Sequence, residues 1–255
     1  MKYDFHSKSW TEIAQFSALR RSVIFLPVGA TEAHGPHLPL ATDSIISVEA
    51  ARRACELLEV DGIDALVLPV MSYTVAEFAV DFPGTISVSI EAATKLIEDI
   101  LLSLLRQRLT RICVVNSHFE PAHVGCIKTA IERVESSASV RVCFPDIRRR
   151  RWAERLTEEF RSGACHAGRY EGSLVLAATP HLVKEDIMRT LPANDVSLSV
   201  AISQGKTSFK QAGGNDAYFG RPAEATRQEG EVTYEVLASM LVESLREVYP
   251  ELWRK

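Results

Sequence analysis

The chain has 255 residues, of which 46% are hydrophobic and 24% are charged, and its formal net charge is −4. This length suits one domain, and the negative charge argues against a general nucleic-acid-binding protein. No apolar run approaches the ~18–20 residues of a membrane helix, the polar start has no signal-peptide core, and the five cysteines form no CxxC pair. We therefore expect a cytoplasmic protein with no membrane or nucleic-acid partner.

The predicted elements alternate between strands and helices. The predicted strands are Val23–Val28, Ala65–Val70, Ile112–Asn116 and Val140–Pro145. The predicted helices are Ser44–Leu58, Ser89–Leu109, Ala122–Val134, Arg148–Phe160, a short buried helix over Gly168–Thr179, and Glu231–Val248. This order predicts an α/β fold over residues 1–255: a single domain whose largely parallel sheet has helices on both faces.

Two clusters of metal-binding side chains each follow a predicted strand. Glu32, His34 and Asp43 lie in a Gly/Pro-rich loop after the first strand, and His118 and Glu120 come directly after the third. Parallel strands end at the same edge of a sheet, so the five side chains can converge. Carboxylates and imidazoles are ligands of divalent metals, which predicts a metal site. Taken alone, Asp43 could be a helix N-cap and His118 a hydrogen-bonded core histidine.

Four segments together resemble the creatininase (creatinine amidohydrolase) family. They are LPVGATEAHGPHLPLATD, NSHFEP, HAGRYEGS and YFGRPAEATRQEG, which start at residues 26, 116, 166 and 218. The resemblance implies two divalent ions (Zn, Mn or Fe), one held by Glu32, Asp43 and His118. The other would be held by His34, Asp43 and Glu120, with Asp43 bridging and with Glu171 as the alternative to Glu120. It also implies a homo-oligomer, namely a hexamer.

The chemistry expected of such a site is amide hydrolysis. Two metals can activate a water molecule and polarise a carbonyl, and a general acid must then protonate the leaving amine. His166 is the candidate acid, a role that the resemblance also implies. Glu171 and Glu120 complete the predicted catalytic set, Glu171 by orienting His166, contacting substrate or assisting at the metal. Cys165 beside His166 offers a rival thiol mechanism, which would leave both metal-binding loops without a use.

The predicted function is therefore a metal-dependent hydrolase of a linear or cyclic small-molecule amide. Alternatives are a formamide deformylase, a peptide-fragment hydrolase of cofactor biosynthesis, and a non-catalytic metal-stabilised binding protein. We expect creatinine not to be the preferred substrate, because the family members that hydrolyse it carry tryptophans near the third segment. Here the residues Arg161–Cys165 before His166 are small apart from the arginine. Loss of an aromatic lid is expected to leave the site open to water and to suit a bulkier or anionic substrate.

Overall fold

A computed structural model of the protein describes residues 2–254. Its three-stranded parallel sheet has the order β2-β1-β3 and contains β1 (Ser22–Val28), β2 (Asp64–Val67) and β3 (Ile112–Asn116). The longer helices are α1 (Trp10–Ser17), α2 (Thr42–Val60), α3 (Ile90–Arg106), α4 (Pro121–Ala138), α7 (Arg169–Ala178) and α10 (Arg227–Val248). The short helices are α5 (Arg150–Ala153), α6 (Glu158–Ser162), α8 (Glu185–Met188) and α9 (Leu198–Ser203). Single 3₁₀ turns cover Phe5–Ser7, Glu77–Ala79, Pro180–Leu182, Pro222–Glu224 and Pro250–Trp253.

The central strand β1 is buried on both faces, as expected for a parallel sheet. Val23 and Phe25 point to one core, which they share with α2, α7 and α10. Ile24 and Leu26 point to the other core, which they share with α3 and α4. The predicted α/β fold, with a parallel sheet covered on both faces, is confirmed.

The predicted fourth strand, Val140–Pro145, is wrong in extent. Only Cys143 pairs there, in a parallel bridge with Cys113 of β3. The Tyr249 hydroxyl lies beside this bridge. It donates a hydrogen bond to Arg141 O at 2.6 Å and accepts one from the Ile112 N–H at 3.2 Å. A side chain thus takes backbone hydrogen bonds that a longer strand would use, so the pairing stops after one residue.

The predicted helix over Arg148–Phe160 is also wrong, because it is divided into α5 and α6. Thr157 caps the start of α6 by accepting the Phe160 N–H at 3.3 Å, and Gly163 ends α6 with a φ of 78°. A threonine N-cap favours a new helix start over continuation of the previous helix. Asp43 is also not the N-cap of α2. That helix begins at Thr42, the residue before Asp43, so Asp43 lies within its first turn.

The connection from β1 to α2 folds back on itself. The Glu32 N–H donates to Leu40 O at 3.1 Å, so the loop returns toward the end of β1. There, α2 packs directly on Gly29, where an added Cβ would lie 2.5 Å from the Ser44 nitrogen. The absence of a side chain at Gly29 therefore lets the first turn of α2 lie against the strand end. No helix within residues 2–254 has both the length and the apolar content needed to cross a membrane.

We predict that Gly29→Ala lowers the free energy of unfolding by about 2 kcal/mol or more, because its Cβ would overlap the backbone of α2. The matched control is Gly125→Ala in α4, where an added Cβ meets nothing within 4 Å. Alanine is the better helix former, so that variant should gain about 0.5–1 kcal/mol. Urea unfolding followed by circular dichroism measures both. Equal stability of Gly29→Ala and the parent would show that α2 can move away from the strand at little cost.

Candidate active site

The sheet register brings the two predicted clusters together. Val28 at the end of β1 pairs with Asn116 at the end of β3, so the loops that follow them start side by side. The first loop carries Glu32 and His34, and the second carries His118. Asp43 reaches the same place from the first turn of α2. The site therefore lies at the carboxyl edge of the sheet, as the sequence predicts.

One group of possible ligands consists of Glu32, Asp43 and His118. His118 Nδ1 lies 3.2 Å from Glu32 Oε1 and 3.2 Å from Asp43 Oδ2. A second group consists of His34, Asp43 and Glu171. Its centre is His34 Nε2, 3.3 Å from Asp43 Oδ1 and 3.5 Å from Glu171 Oε2. The two groups share Asp43, with one carboxylate oxygen directed to each.

Glu120 lies beside these groups rather than in them. Its Oε2 accepts the Phe78 N–H at 3.2 Å and lies 4.0 Å from His118 Nε2. Among the described residues, the groups whose ligand atoms converge on one point contain Glu171 and not Glu120. The assignment of Glu120 as a metal ligand stays a prediction, and the geometry favours the alternative ligand, Glu171.

His166 joins the same cluster from the loop before α7. Its Nε2 lies 3.0 Å from Ala33 O, and its Nδ1 lies 3.7 Å from Glu32 Oε1. With Glu32 and His34 it forms a third group of possible ligands. The His166 ring also packs 4.3 Å from the His34 ring and 4.2 Å from the Phe209 ring, centre to centre. An Nε2–H bonded to a carbonyl leaves Nδ1 directed to the cluster.

The donor set fits divalent metal ions. His34 Nδ1 lies 3.1 Å from Glu32 O and His118 Nε2 lies 2.9 Å from Val75 O, so in each ring the other nitrogen faces the carboxylates. Metal-binding histidines characteristically have this arrangement. Glu32 Oε2, His34 Nε2 and Asp43 Oδ2 are buried without a hydrogen-bond partner. Buried polar atoms rarely lack a partner, and bound cations would provide one here.

The electrostatics of the protein alone also call for positive charge. Burial opposes protonation of His34, yet Asp43, Glu171 and Glu32 raise its pKa to about 10. Burial of Asp43 is likewise outweighed by His34 and His118, which lower its pKa. Burial raises the pKa of Glu171 to about 8. The cluster holds protons that divalent ions would replace.

Above the ligands lies a cavity of about 330 Å³ whose walls the sequence analysis did not anticipate. Its aromatic lining residues are Phe78, Phe119, Phe160 and Phe209. Trp152 and Tyr170 belong to the buried core and are not in this lining. The expectation that the site would lack aromatic cover is therefore wrong. Phe78 comes from the 3₁₀ turn Glu77–Ala79 and Phe209 from an irregular segment far away in sequence, and no local pattern reveals that they share a wall.

The thiol mechanism has no support. Cys165 lines the cavity as a free cysteine. Burial raises the pKa of its thiol, and the negative charges of the nearby Glu171 and Glu159 raise it further. A nucleophilic cysteine needs the opposite shift, toward the thiolate.

Similarity to known proteins agrees with this geometry. The creatininase family model, described as creatinine amidohydrolase, matches residues 6–245. A mycofactocin precursor peptide peptidase of Mycolicibacterium smegmatis is 26% identical over 232 residues, which cover 90% of this chain and 86% of the relative. A creatinine amidohydrolase of Pseudomonas putida is 27% identical over 263 aligned residues, which cover 95% of each chain.

Solved structures share the fold. A crystal structure of creatinine amidohydrolase (creatininase) superposes with a TM-score of 0.77 at 23% identity, covering 98% of both chains. A manganese form of creatininase gives a TM-score of 0.75 at 24% identity, covering 98% of this chain and 100% of the other. Because the family model spans nearly the whole chain, the protein belongs to the creatininase family and is a hydrolase of carbon–nitrogen bonds.

Proposed function

We propose that this protein hydrolyses amide bonds with two divalent metal ions that share Asp43. The observation that carries the proposal is the arrangement around Asp43, whose two oxygens lie 3.3 Å from His34 Nε2 and 3.2 Å from His118 Nδ1. Two histidines that share one carboxylate in this way match a dinuclear site. Support also comes from the solved creatininases, which include a Mn form and a mutant of Zn–Zn type.

The proposed ligands follow the two groups of converging atoms. Glu32, Asp43 and His118 hold the first ion. His34, Asp43 and Glu171 hold the second. Glu120 stays next to His118, where its carboxylate can accept a hydrogen bond from substrate or water. Zn, Mn and Fe are all compatible with this mixture of imidazole and carboxylate ligands.

When bound, the ions supply Lewis acidity toward the amide carbonyl and toward an attacking water molecule. His166 then serves the leaving amine. Its Nε2–H is held by Ala33 O at 3.0 Å, which fixes the ring and leaves Nδ1 without a proton, so Nδ1 would take a proton from the attacking water and pass it to the leaving amine. Phe209 packs against that ring, and with Phe78 it lines the cavity. An amine that leaves protonated cannot readily attack the acyl product again.

The substrate is an amide, and its finer identity follows from the cavity rather than from the relatives. Creatinine amidohydrolase and the precursor peptide peptidases are similar to this chain at nearly equal identity. The phenylalanine-lined cavity favours an amide with apolar parts. That creatinine is not the preferred substrate therefore stays a prediction, and it now rests on this apolar lining rather than on a missing aromatic lid. Homo-oligomeric assembly and a cytoplasmic location stay predictions from the sequence.

We predict that Asp43→Ala loses both metal ions, because Asp43 is the only proposed ligand common to both. Elemental analysis of protein purified without chelators measures the metal content, and circular dichroism checks the fold. The control is Asp99→Ala, which removes an exposed aspartate of α3. Full metal content in folded Asp43→Ala would eliminate the shared carboxylate.

The two glutamates can be separated by isosteric variants. Glu171→Gln should lose one ion, whereas Glu120→Gln should keep both, since only the Glu171 carboxylate lies with His34 and Asp43. Metal content per chain decides between them. The reverse pattern would assign the second ion to Glu120, as the family resemblance implies.

For His166, we predict that His166→Ala keeps both ions but loses about 10²-fold or more in kcat, the usual scale of general acid catalysis. A panel of amides is first tested with the parent protein, and the amide that it cleaves fastest is the substrate for measuring kcat. His181→Ala, which removes an exposed histidine, should leave kcat unchanged. Loss of metal from His166→Ala would make the imidazole a ligand through its group with Glu32 and His34.

A further inference from the structure

Beyond the metal ligands, the cavity has an apolar wall. Phe78, Phe119, Phe160 and Phe209 line it together with Leu198 and Ile202 of α9. Such a surface gains free energy by removing apolar substrate groups from water, at roughly 25 cal/mol per Å². A small polar ring would leave much of this wall in contact with water. The wall therefore selects a substrate with an aromatic or branched aliphatic group.

The same cavity has two arginines at its lining, Arg148 and Arg161. Arg148 Nε lies 2.9 Å from Asp146 Oδ1, but the same carboxylate also receives Lys128 Nζ at 2.9 Å. Arg148 and Lys128 thus share the single negative charge of Asp146, and the three side chains together carry a net charge of about +1. This excess lies beside the substrate cavity.

Arg161 differs from Arg148 in its partners. It is exposed in the last turn of α6, and within residues 2–254 its guanidinium has neither a hydrogen bond nor an ion pair. The nearby Arg150, Arg151 and Arg155 pair with Glu154, Glu247 and Glu243, respectively. An unpaired guanidinium at a cavity is available for a ligand, and its planar set of donors matches a carboxylate.

The charge of the site agrees with such a ligand. Four carboxylates lie in the cavity, those of Glu32, Asp43, Glu120 and Glu171. Two divalent ions, as in the proposed function, would neutralise them. The arginines then have no acidic partner in the cavity and give it a net positive charge, which attracts an anionic substrate.

We propose that the substrate is an amide that carries both a carboxylate and an apolar side group, as in an N-acylated hydrophobic amino acid, with Arg161 binding the carboxylate. This inference rests on the proposed amide hydrolysis. The reaction breaks the acyl C–N bond. The oxygen of water goes to the acyl carbon and a proton goes to the amine, which gives a carboxylic acid and a free amino acid. Arg161 is thus a specificity-determining residue that leaves the bond-breaking step to the metal site.

Three amides test the activity: N-acetyl-L-phenylalanine, its neutral C-terminal amide N-acetyl-L-phenylalaninamide, and N-acetylglycine, with creatinine as a fourth compound. Metal-loaded parent should cleave the first with the highest kcat/KM. Arg161→Ala should raise KM for N-acetyl-L-phenylalanine by about 10-fold or more, the usual loss for a hydrogen bond to a charged group, with little change in kcat. Arg161→Lys should recover part of the loss. Arg150→Ala, which removes an arginine outside the cavity lining, should match the parent.

Binding gives a readout that does not depend on turnover. Titration calorimetry of metal-loaded protein compares 3-phenylpropanoate with the neutral 3-phenylpropanamide. The parent should prefer the carboxylate, and Arg161→Ala should lose that preference. If the preference persists in Arg161→Ala, the metal ions bind the carboxylate and the proposal is overturned.

The outcomes also separate this proposal from amide hydrolysis itself. Hydrolysis that needs Asp43 but is equally fast with the neutral amide would keep the proposed function and overturn the role of Arg161. Preference for creatinine or N-acetylglycine would overturn the apolar part of the substrate. Absence of all hydrolysis, with Arg161-dependent binding of 3-phenylpropanoate retained, would refute hydrolysis of these amides and support the carboxylate site.

Discussion

The site depends on one buried carboxylate, that of Asp43. Its two oxygens face different histidines, His34 and His118, which belong to loops after different strands. This arrangement requires α2 to start against the end of β1, and Gly29 allows it because an added Cβ would lie 2.5 Å from the α2 backbone. A one-residue shift in the pairing of β1 with β3 would displace one histidine from Asp43 by several ångströms. The contacts of the Asp43 side chain therefore depend on both the register of the sheet and the position of α2.

Burying three carboxylates in one cluster is costly unless cations accompany them. Glu32, Asp43 and Glu171 are each at most 2% exposed, and removing a charged group from water costs several kcal/mol. In the protein alone, protons on the histidines provide part of the compensation, as the raised pKa values of His34 and His118 indicate. Divalent ions compensate more completely, because each can contact several of these atoms at once. Metal binding and the stability of this edge of the sheet are thus coupled.

The sequence predicts the part of the site that follows from strands. Apolar runs reveal β1 and β3, and a parallel sheet then brings Glu32 and His118 together. It could not place Glu171, because a regular helix from His166 would hold the two side chains apart. Instead, Ala167 adopts a left-handed φ of 52°, and its N–H donates to Glu171 Oε2 at 2.6 Å. The cavity walls were also beyond prediction, since they depend on how irregular segments pack rather than on a periodic pattern.

The irregular segment before α10 that contains Ala217 and Phe219 joins these parts into one site. The Phe219 N–H donates to His166 O at 2.8 Å, and Ala217 O accepts the Gly35 N–H at 2.8 Å, so this segment fastens the His166 loop to the first metal-binding loop. Half-buried Glu159 strengthens the junction: its two oxygens accept the N–H groups of Tyr170 and Arg221 at 2.8 and 2.7 Å. These contacts hold His166 and Glu171 at the cluster although neither follows a strand. The segments that resemble the family are thus the ones that must meet in space, which is why a chain with only about a quarter of its residues identical to its relatives can keep the same arrangement.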